Sequence, residues 1–343
     1  MAAGRELLDE LTEAQELLEQ SNEVYMAQAR NFRRKLVRSA TQLPPHEATE
    51  LLTRASELLP CELYTDSFIK LASRLKVTLP KLSSFRMQLA IATRRRQLSG
   101  HKAEWYLNNK RSAYEFIDKM KVNRPALLAD GVPLAAVEFQ PQTVIKPFFG
   151  AAATGIYLLL NDKQIVEVKT GRRLSSYTEL RECLQTMLAT GTVSKDQWLH
   201  EELIADINDD VVKPARDLKF YCFYGRVAMV LEVNREDGAK YCEWLPDGNL
   251  AETGRYENVK FVGEGFTAEQ LKQAQALSLK IPAPFIRIDF LATEKRFVFG
   301  EFTPRPGQFH TFNDAFDRYL GEYYLGAEAR LSRLLQKNRH LGV

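Results

Sequence analysis

From residue 105 onward the chain repeatedly sets two short apolar runs on either side of a tight turn, with helical stretches between these pairs. That interleaving constrains the fold most, because strands joined by turns of two to four residues can only pair antiparallel. Gly155 to Leu160, the turn Asn161-Asp162 and Lys163 to Val168 form one such unit. Leu218 to Tyr224 turns at Gly225-Arg226 and returns through Val227 to Val233, and Lys240 to Leu245 supplies a third strand. The last hairpin runs from Phe285 to Leu291 and from Phe297 to Phe302. Helical periodicity fills Ser112 to Met120, Leu174 to Ala189, Thr267 to Leu279 behind a Thr cap, and Asp314 to Lys337. The expected class is α+β.

The first 80 residues are of another kind. Leu7, Leu8, Leu11, Ala14, Leu17, Leu18, Val24 and Tyr25 recur at the three- and four-residue spacing of one amphipathic helix spanning residues 4 to 40. Pro44-Pro45 ends it, and shorter helical stretches follow around 46 to 59, 64 to 75 and 83 to 99. Acids fill the first half of the long helix, from Glu6 to Glu23, and bases the second, from Arg30 to Arg38. A solvated face, a self-associating helix pair that would make a homodimer, and a patch for anionic lipid or polymer all produce that pattern.

Composition narrows the function classes. The 343 residues carry 47 bases against 44 acids, a net charge of +3, which is not the excess of a dedicated nucleic-acid binder. No apolar run approaches the 18 or so residues of a membrane span, and the N-terminus has no export or import signature, so a cytoplasmic location is expected. Cys61, Cys183, Cys222 and Cys242 form no CxxC pair and are expected to be reduced thiols.

Three places hold polar residues that an ordinary core would not want. In Val144-Ile-Lys146-Pro, a lysine ends an apolar strand and a loop of small residues, Gly150 to Gly155, follows; backbone N–H groups and an ammonium can there approach one anion, although the segment also suits a plain hairpin connection. Ile156-Tyr157 stands where a P-loop needs Lys-Ser/Thr, which excludes that motif. In the last hairpin, a three-residue loop at 293 to 295 would pair Asp289 with Phe299 and leave Glu301 one diagonal step away on the same face, so that two carboxylates converge for a divalent cation. A four-residue loop would put them on opposite faces. Arg287 shares the face of Asp289, and Thr303-Pro-Arg305-Pro-Gly307 adds a hydroxyl and a guanidinium at the same end. Lys219, alternating with Tyr221 and Phe223, either snorkels from a sheet edge or points into a cleft.

Lys110, Lys146-Pro, the small-residue loop, Glu201-Glu-Leu-Ile204, Asp217-x-Lys219, Arg287-Ile-Asp289 and Glu301-x-Thr-x-Arg-Pro-Gly307 occur in the order seen in ATP-grasp enzymes. Within that superfamily the sequence resembles the teichuronopeptide-biosynthesis (TupA-like) branch, over roughly residues 105 to 325. The resemblance implies two α+β subdomains clasping a nucleotide, a lid at 141–204 and a metal- and acceptor-binding part at 205–343, reached through a connecting region at 81–140; the helical region at 1–80 lies outside it and inherits nothing from it.

By the same resemblance, Lys110 and Lys146 would hold the nucleotide phosphates under the loop containing Gly150, Ala151, Thr154 and Gly155. Glu201, Glu202, Leu203 and Ile204 would form the hinge at the adenine edge, with Glu202 the acid that points toward the nucleotide. Asp289, Glu301 and Thr303 would form the magnesium site, Thr303 standing where Asn is usual, and Lys219, Arg287 and Arg305 would neutralise the transferred phosphoryl group or the acceptor carboxylate. ATP and Mg2+ are the implied cofactors. The implied reaction joins a carboxylate and an amine, small molecules or precursors of a cell-surface polymer, through an acyl phosphate. A kinase acting on a sugar-like hydroxyl and a nucleotide-binding scaffold without catalysis are the alternatives.

Overall fold

The computed structural model describes residues 2–100, 103–150, 153–208, 211–235 and 238–340, and the chain divides into two compact units after Leu82. The first unit holds α1 (Ala2–Ala40), α2 (Pro45–Leu58) and α3 (Asp66–Arg74). Pro45 opens α2, where its missing N–H costs nothing, and Thr65 caps α3 by accepting from Phe68 N. Ala29, Leu36 and Ala40 of α1 pack with Leu52, Phe68 and Leu71 into one apolar core.

The second unit begins with α4 (Phe85–Ser99), α5 (Ala103–Tyr106) and α6 (Lys110–Lys119). Its first sheet contains β1 (Leu127–Val132), β2 (Thr143–Pro147), β3 (Tyr157–Asn161), β4 (Gln164–Glu167), β5 (Arg173–Leu174) and β6 (Trp198–Glu202), with α7 (Tyr177–Ala189) between the last two. The strand order is β1-β6-β2-β3-β4-β5 and every pairing is antiparallel. One face, carrying Ile145, Tyr157, Leu159 and Trp198, packs on Leu180 and Leu184 of α7. The other carries Val144, Leu160, Val166 and Leu203.

A short hairpin, β7 (Ala205–Asn208) and β8 (Val211–Pro214), leads to the second sheet. That sheet comprises β9 (Arg216–Phe223), β10 (Arg226–Asn234), β11 (Lys240–Trp244), β12 (Ile286–Ala292) and β13 (Phe297–Thr303), ordered β11-β10-β9-β12-β13 and antiparallel throughout. The β9–β10 turn sits at Tyr224-Gly225, one residue earlier than expected, because Arg226 already pairs with Phe223. Both turn residues have positive φ, as the favoured two-residue hairpin requires. On one face Phe220, Ile288 and Phe290 meet α6 and α8 (Ala268–Ser278); on the other Tyr221, Phe223 and Met229 meet Phe85 of α4 and Leu320 and Tyr324 of α9 (Asp314–His340). Asp217, Lys219 and Asp289 lie on this second face, by the two-residue alternation of strands.

Candidate active site

The first sheet contributes a cationic end. Alternation along β2 sends Ile145 into the core and turns Val144 and Lys146 to the opposite face, where the Lys146 ammonium forms an ion pair with Glu201. Tyr114 of α6 donates its hydroxyl to Glu201 Oε2 at 2.9 Å. Lys110 opens α6 behind the Asn109 cap and donates Nζ to the Pro147 carbonyl at 3.2 Å. Burial first, and then the Lys146 charge, push the Lys110 ammonium down to about 8. Burial would lower Lys146 as well, but Glu201 and its neighbours outweigh it and hold Lys146 above its usual value. Glu301, on the second sheet, lies close enough for its charge to favour the charged form of both lysines.

Glu202 stands apart from these lysines. It pairs with Thr143 in the β2–β6 ladder and so faces away from Lys146, and its carboxylate accepts from Arg296 Nη1 at 2.5 Å and from Ala126 N at 3.1 Å. Glu201 pairs with Val144 and is the acid that faces the lysines, whereas the expectation had Glu202 as the acid that points toward the nucleotide. Beyond β6, Leu203 N donates to Gln142 O and Ile204 O accepts from Ala215 N, both at 2.9 Å, so these backbone groups are already satisfied. The Leu203 side chain joins Val144, Leu160 and Val166 in an apolar patch on the face that carries Lys146. In the loop after β2, Gly155 has φ +74° and a Cβ there would stand 2.9 Å from Pro147 Cγ, so only glycine fits. Thr154 accepts from Lys169 Nζ at 3.2 Å, Gly150 is exposed, and Ala151 lies outside the described residues.

The second sheet supplies the acids. Its last hairpin has a four-residue loop, Thr293 to Arg296, closed by Thr293 N donating to Arg296 O. Simple alternation would then separate the two carboxylates onto opposite faces. A bulge at Gly300 restores them: Phe290 pairs with Phe299 but Asp289 pairs with Glu301, directly rather than diagonally. A Cβ at residue 300 would stand 3.2 Å from the Asp289 carbonyl oxygen, so the bulge favours glycine.

Asp289 is buried, and its oxygens accept from Arg287 Nε and Nη2, each at 2.7 Å, and from Lys219 Nζ at 2.6 Å. Burial would raise its carboxyl, but the Arg287 and Lys219 charges hold it below the usual range. Burial also opposes the Lys219 ammonium, yet Asp217 and Asp289 keep it above its usual value. Lys219 thus points into the site, the alternative the pattern had left open. Glu301 is reached by solvent, its side chain 52% exposed, while desolvation and the facing Asp289 charge push its carboxyl up. Thr303 Oγ1 accepts from Arg287 Nη2 at 3.0 Å.

The donor chemistry of this cluster fits a hard cation. Two carboxylates stand opposite each other on adjacent strands with a hydroxyl beside them, all oxygen, and Asp289 Oδ1 keeps a further lone pair beside Arg287 Nε, whereas Oδ2 already accepts from both Lys219 Nζ and Arg287 Nη2. No group of three or more His, Cys, Asp or Glu side chains suited to a metal occurs among the described residues. A cation here would therefore draw its remaining ligands from phosphate or water, as magnesium commonly does.

Arg305 is another predicted residue that the structure leaves apart. It is exposed, lies 4.9 Å over the Phe309 ring and lines a crevice with Glu104, Trp105 and Tyr324. Two contributors were not singled out from sequence. Tyr114 reaches Glu201 from a helix 87 positions earlier, and no local pattern announces such a bond. Arg235 binds Asp217, and its signal is alternation alone, two residues past Val233, which pairs with Asp217.

The TupA-like ATPgrasp family model matches residues 89–325, well over half the chain. The chain belongs to the TupA-like ATP-grasp family. Its α+β architecture is the ATP-grasp fold, preceded by the helical first unit. No curated protein matches the chain. Among solved structures, the ATP-grasp chain is similar to a D-alanine–D-alanine ligase from Bacillus anthracis, with 12% identity over 68% of this chain and 69% of that one and a TM-score of 0.41. It is also similar to an L-amino acid ligase from Bacillus licheniformis, with 12% identity over 78% and 54% and a TM-score of 0.36. A third neighbour is the ATP-grasp ligase PsnB complexed with a phosphomimetic variant of its minimal precursor, Mg and ADP, with 10% identity over 71% and 68% and a TM-score of 0.39. No helix of this ATP-grasp chain is long and apolar enough, among the described residues, to cross a membrane.

Proposed function

We propose that the protein is a magnesium- and ATP-dependent carboxylate–amine ligase. The observation that carries this reading is the paired Asp289 and Glu301 beside Lys219 and Arg287 on one sheet, within the field of Lys146 on the other and of Lys110 on α6. Lys110 and Lys146 bind the nucleotide phosphates, and the apolar patch of Val144, Leu160, Val166 and Leu203 takes the adenine. Asp289 and Glu301 would hold magnesium, with Thr303 beside them; when bound it neutralises phosphate charge. Lys219 and Arg287 take up the negative charge that develops on the transferred phosphoryl group, the main task a protein has in this chemistry.

The acceptor carboxylate oxygen attacks the γ-phosphorus and ADP leaves, giving an acyl phosphate. The amine then attacks the acyl carbon and inorganic phosphate leaves, giving the amide. The family resemblance makes a cell-surface polymer precursor or a peptide the natural acceptor.

Nucleotide binding is tested first, by thermal melts with and without Mg–ATP. Ligand at about 100 times its dissociation constant stabilises a fold by about 2.7 kcal/mol. A magnesium-dependent rise that Glu301→Gln abolishes is expected, and no rise with any nucleotide refutes the reading. Hydroxylamine then separates the chemistries: an acyl phosphate yields a hydroxamate, whereas a phosphorylated hydroxyl does not.

A further inference from the structure

Two charged residues on the second sheet's site face have no part in the reading above, Asp217 and Arg235. Arg235 Nε and Nη2 both donate to Asp217 Oδ2, at 3.1 and 2.8 Å. The same oxygen stands 3.3 Å from Lys219 Nζ, which lies 2.6 Å from Asp289 Oδ2. From the residue after β10 across β9 and β12 the charges therefore alternate in one row: Arg235, Asp217, Lys219, Asp289, Arg287.

Lys219 sits between two carboxylates, and its position is a competition between them. Asp289 and Asp217 each already have a guanidinium partner, so neither is an unsatisfied buried charge. If the guanidinium on Asp217 were removed, that acid, only 14% exposed, would be left with Lys219 as its remaining cation in the row. Burying a lone carboxylate is costly, and the flexible lysine stem can move to meet it. Lys219 would then turn from Asp289 toward Asp217, away from the place where the phosphoryl group is transferred. Burial would raise the Asp217 carboxyl, but Lys219 and then Arg235 hold it down to about 2, so in the parent this competitor is ionised.

We propose that Arg235 is a positioning residue: by satisfying Asp217 it leaves Lys219 directed at Asp289, where Lys219 can act on the transferred phosphoryl group. This inference rests on the ligase reading for the role of Lys219. It does not need that reading for where Lys219 stands.

The test compares the parent with Arg235→Met, Arg235→Met/Asp217→Asn and Lys219→Met. The first measurement is affinity for ADP with magnesium, alone and with aluminium fluoride, which imitates the transferred phosphoryl group. Loss of a charge-assisted bond should weaken the aluminium fluoride complex of Arg235→Met by at least about tenfold while leaving ADP alone within about twofold. The double variant should recover most of that loss, because removing the Asp217 charge removes the competitor. A residue that merely supported the fold would weaken both complexes alike and would not be rescued. Equal affinities in Arg235→Met and the parent, or no rescue by Asp217→Asn, overturn the proposal.

The second measurement is a crystal structure of Arg235→Met, expected to show Lys219 Nζ on Asp217. Lys219 still on Asp289 overturns the proposal whatever the affinities show. The Lys219→Met control separates the two levels: if it does not weaken the aluminium fluoride complex, the assigned role of Lys219 fails, and the crystal structure alone then decides what Arg235 does.

Discussion

Lys110→Met should make the protein more stable and less able to bind nucleotide. The Lys110 ammonium is held at about 8 rather than 10.5, first by burial and then by Lys146, so its charged form is disfavoured in the fold. A shift of that size corresponds to about 3 kcal/mol. The lost hydrogen bond to the Pro147 carbonyl returns about 1 kcal/mol, leaving Lys110→Met more stable by about 2 kcal/mol at pH 7. The pH dependence has a definite sign. Between about 8 and 10.5 the unfolded chain holds a proton on Lys110 that the folded chain has released, so the parent gains stability as pH rises through that window. The advantage of the variant should accordingly shrink, pass through zero at about pH 10 and give way at higher pH to a deficit that approaches the roughly 1 kcal/mol of the lost hydrogen bond. Thermal melts of both proteins from pH 6 to pH 10.5 measure the difference directly, and other titrating groups cancel in it. Phosphates placed against Lys110 would restore its proton, so Mg–ATP binding to the parent at pH 9 should take up a proton, measurable by calorimetry in two buffers of different ionisation enthalpy. A variant less stable than the parent at pH 7, or an advantage that stays constant across pH, would refute the reasoning.

Asp289→Asn should cost about 3 kcal/mol of stability, seen as a lower urea midpoint, because it strips the carboxylate from two cations that are themselves largely buried. The depressed Asp289 carboxyl also sets a sign at low pH: its contribution is complete above the ordinary carboxylate range and is lost as pH falls through its folded value, so the parent should approach the variant on acidification. Glu301→Gln should do the opposite in the absence of ligand, raising stability slightly at pH 7, because ionised Glu301 is disfavoured by desolvation and by Asp289. Its loss should appear only when magnesium and nucleotide are added.

The strand pairs of the second unit were legible because their alternation and turn residues are local signals. The order of lysines, acids and arginines was legible because it is a property of the chain. What could not be read was parity between strands. Counting loop residues places Asp289 and Glu301 together only if the loop has three residues; it has four, and the extra residue is absorbed at Gly300. A bulge has no sequence mark beyond a glycine, and this chain has 18 of them. The choice between Glu201 and Glu202 was likewise a matter of parity, set by Val144 pairing with Glu201. Arg305 was placed with the other cations by its spacing from Thr303, but Pro304 and Pro306 flank it in an irregular turn, where strand alternation no longer governs direction.

Apart from Lys110, which donates to the Pro147 carbonyl, the cations of this site are already paired before any ligand arrives: Lys146 with Glu201, Lys219 and Arg287 with Asp289, and Arg235 with Asp217. Buried charges are tolerated only when partnered, so ligand binding here is an exchange of partners rather than the filling of an empty field. Exchange couples the ligands. A cation taken by Asp289 and Glu301 weakens the hold of Asp289 on Lys219 and Arg287 and frees them for phosphate. A phosphate on Lys219 and Arg287 in turn leaves Asp289 freer to bind a cation. By linkage the two effects are equal: magnesium should tighten ATP binding by the same factor by which ATP tightens magnesium binding, and 1 to 3 kcal/mol of coupling corresponds to about 5- to 150-fold. Part of that coupling is direct attraction between magnesium and phosphate, which any site would show. The part due to exchange should fall in Lys219→Met, where no ammonium waits to be released. Titrations of ATP at several magnesium concentrations in the parent and in Lys219→Met measure both parts, and an unchanged coupling factor in the variant would show that the pairing of Lys219 with Asp289 has no role in assembling the site.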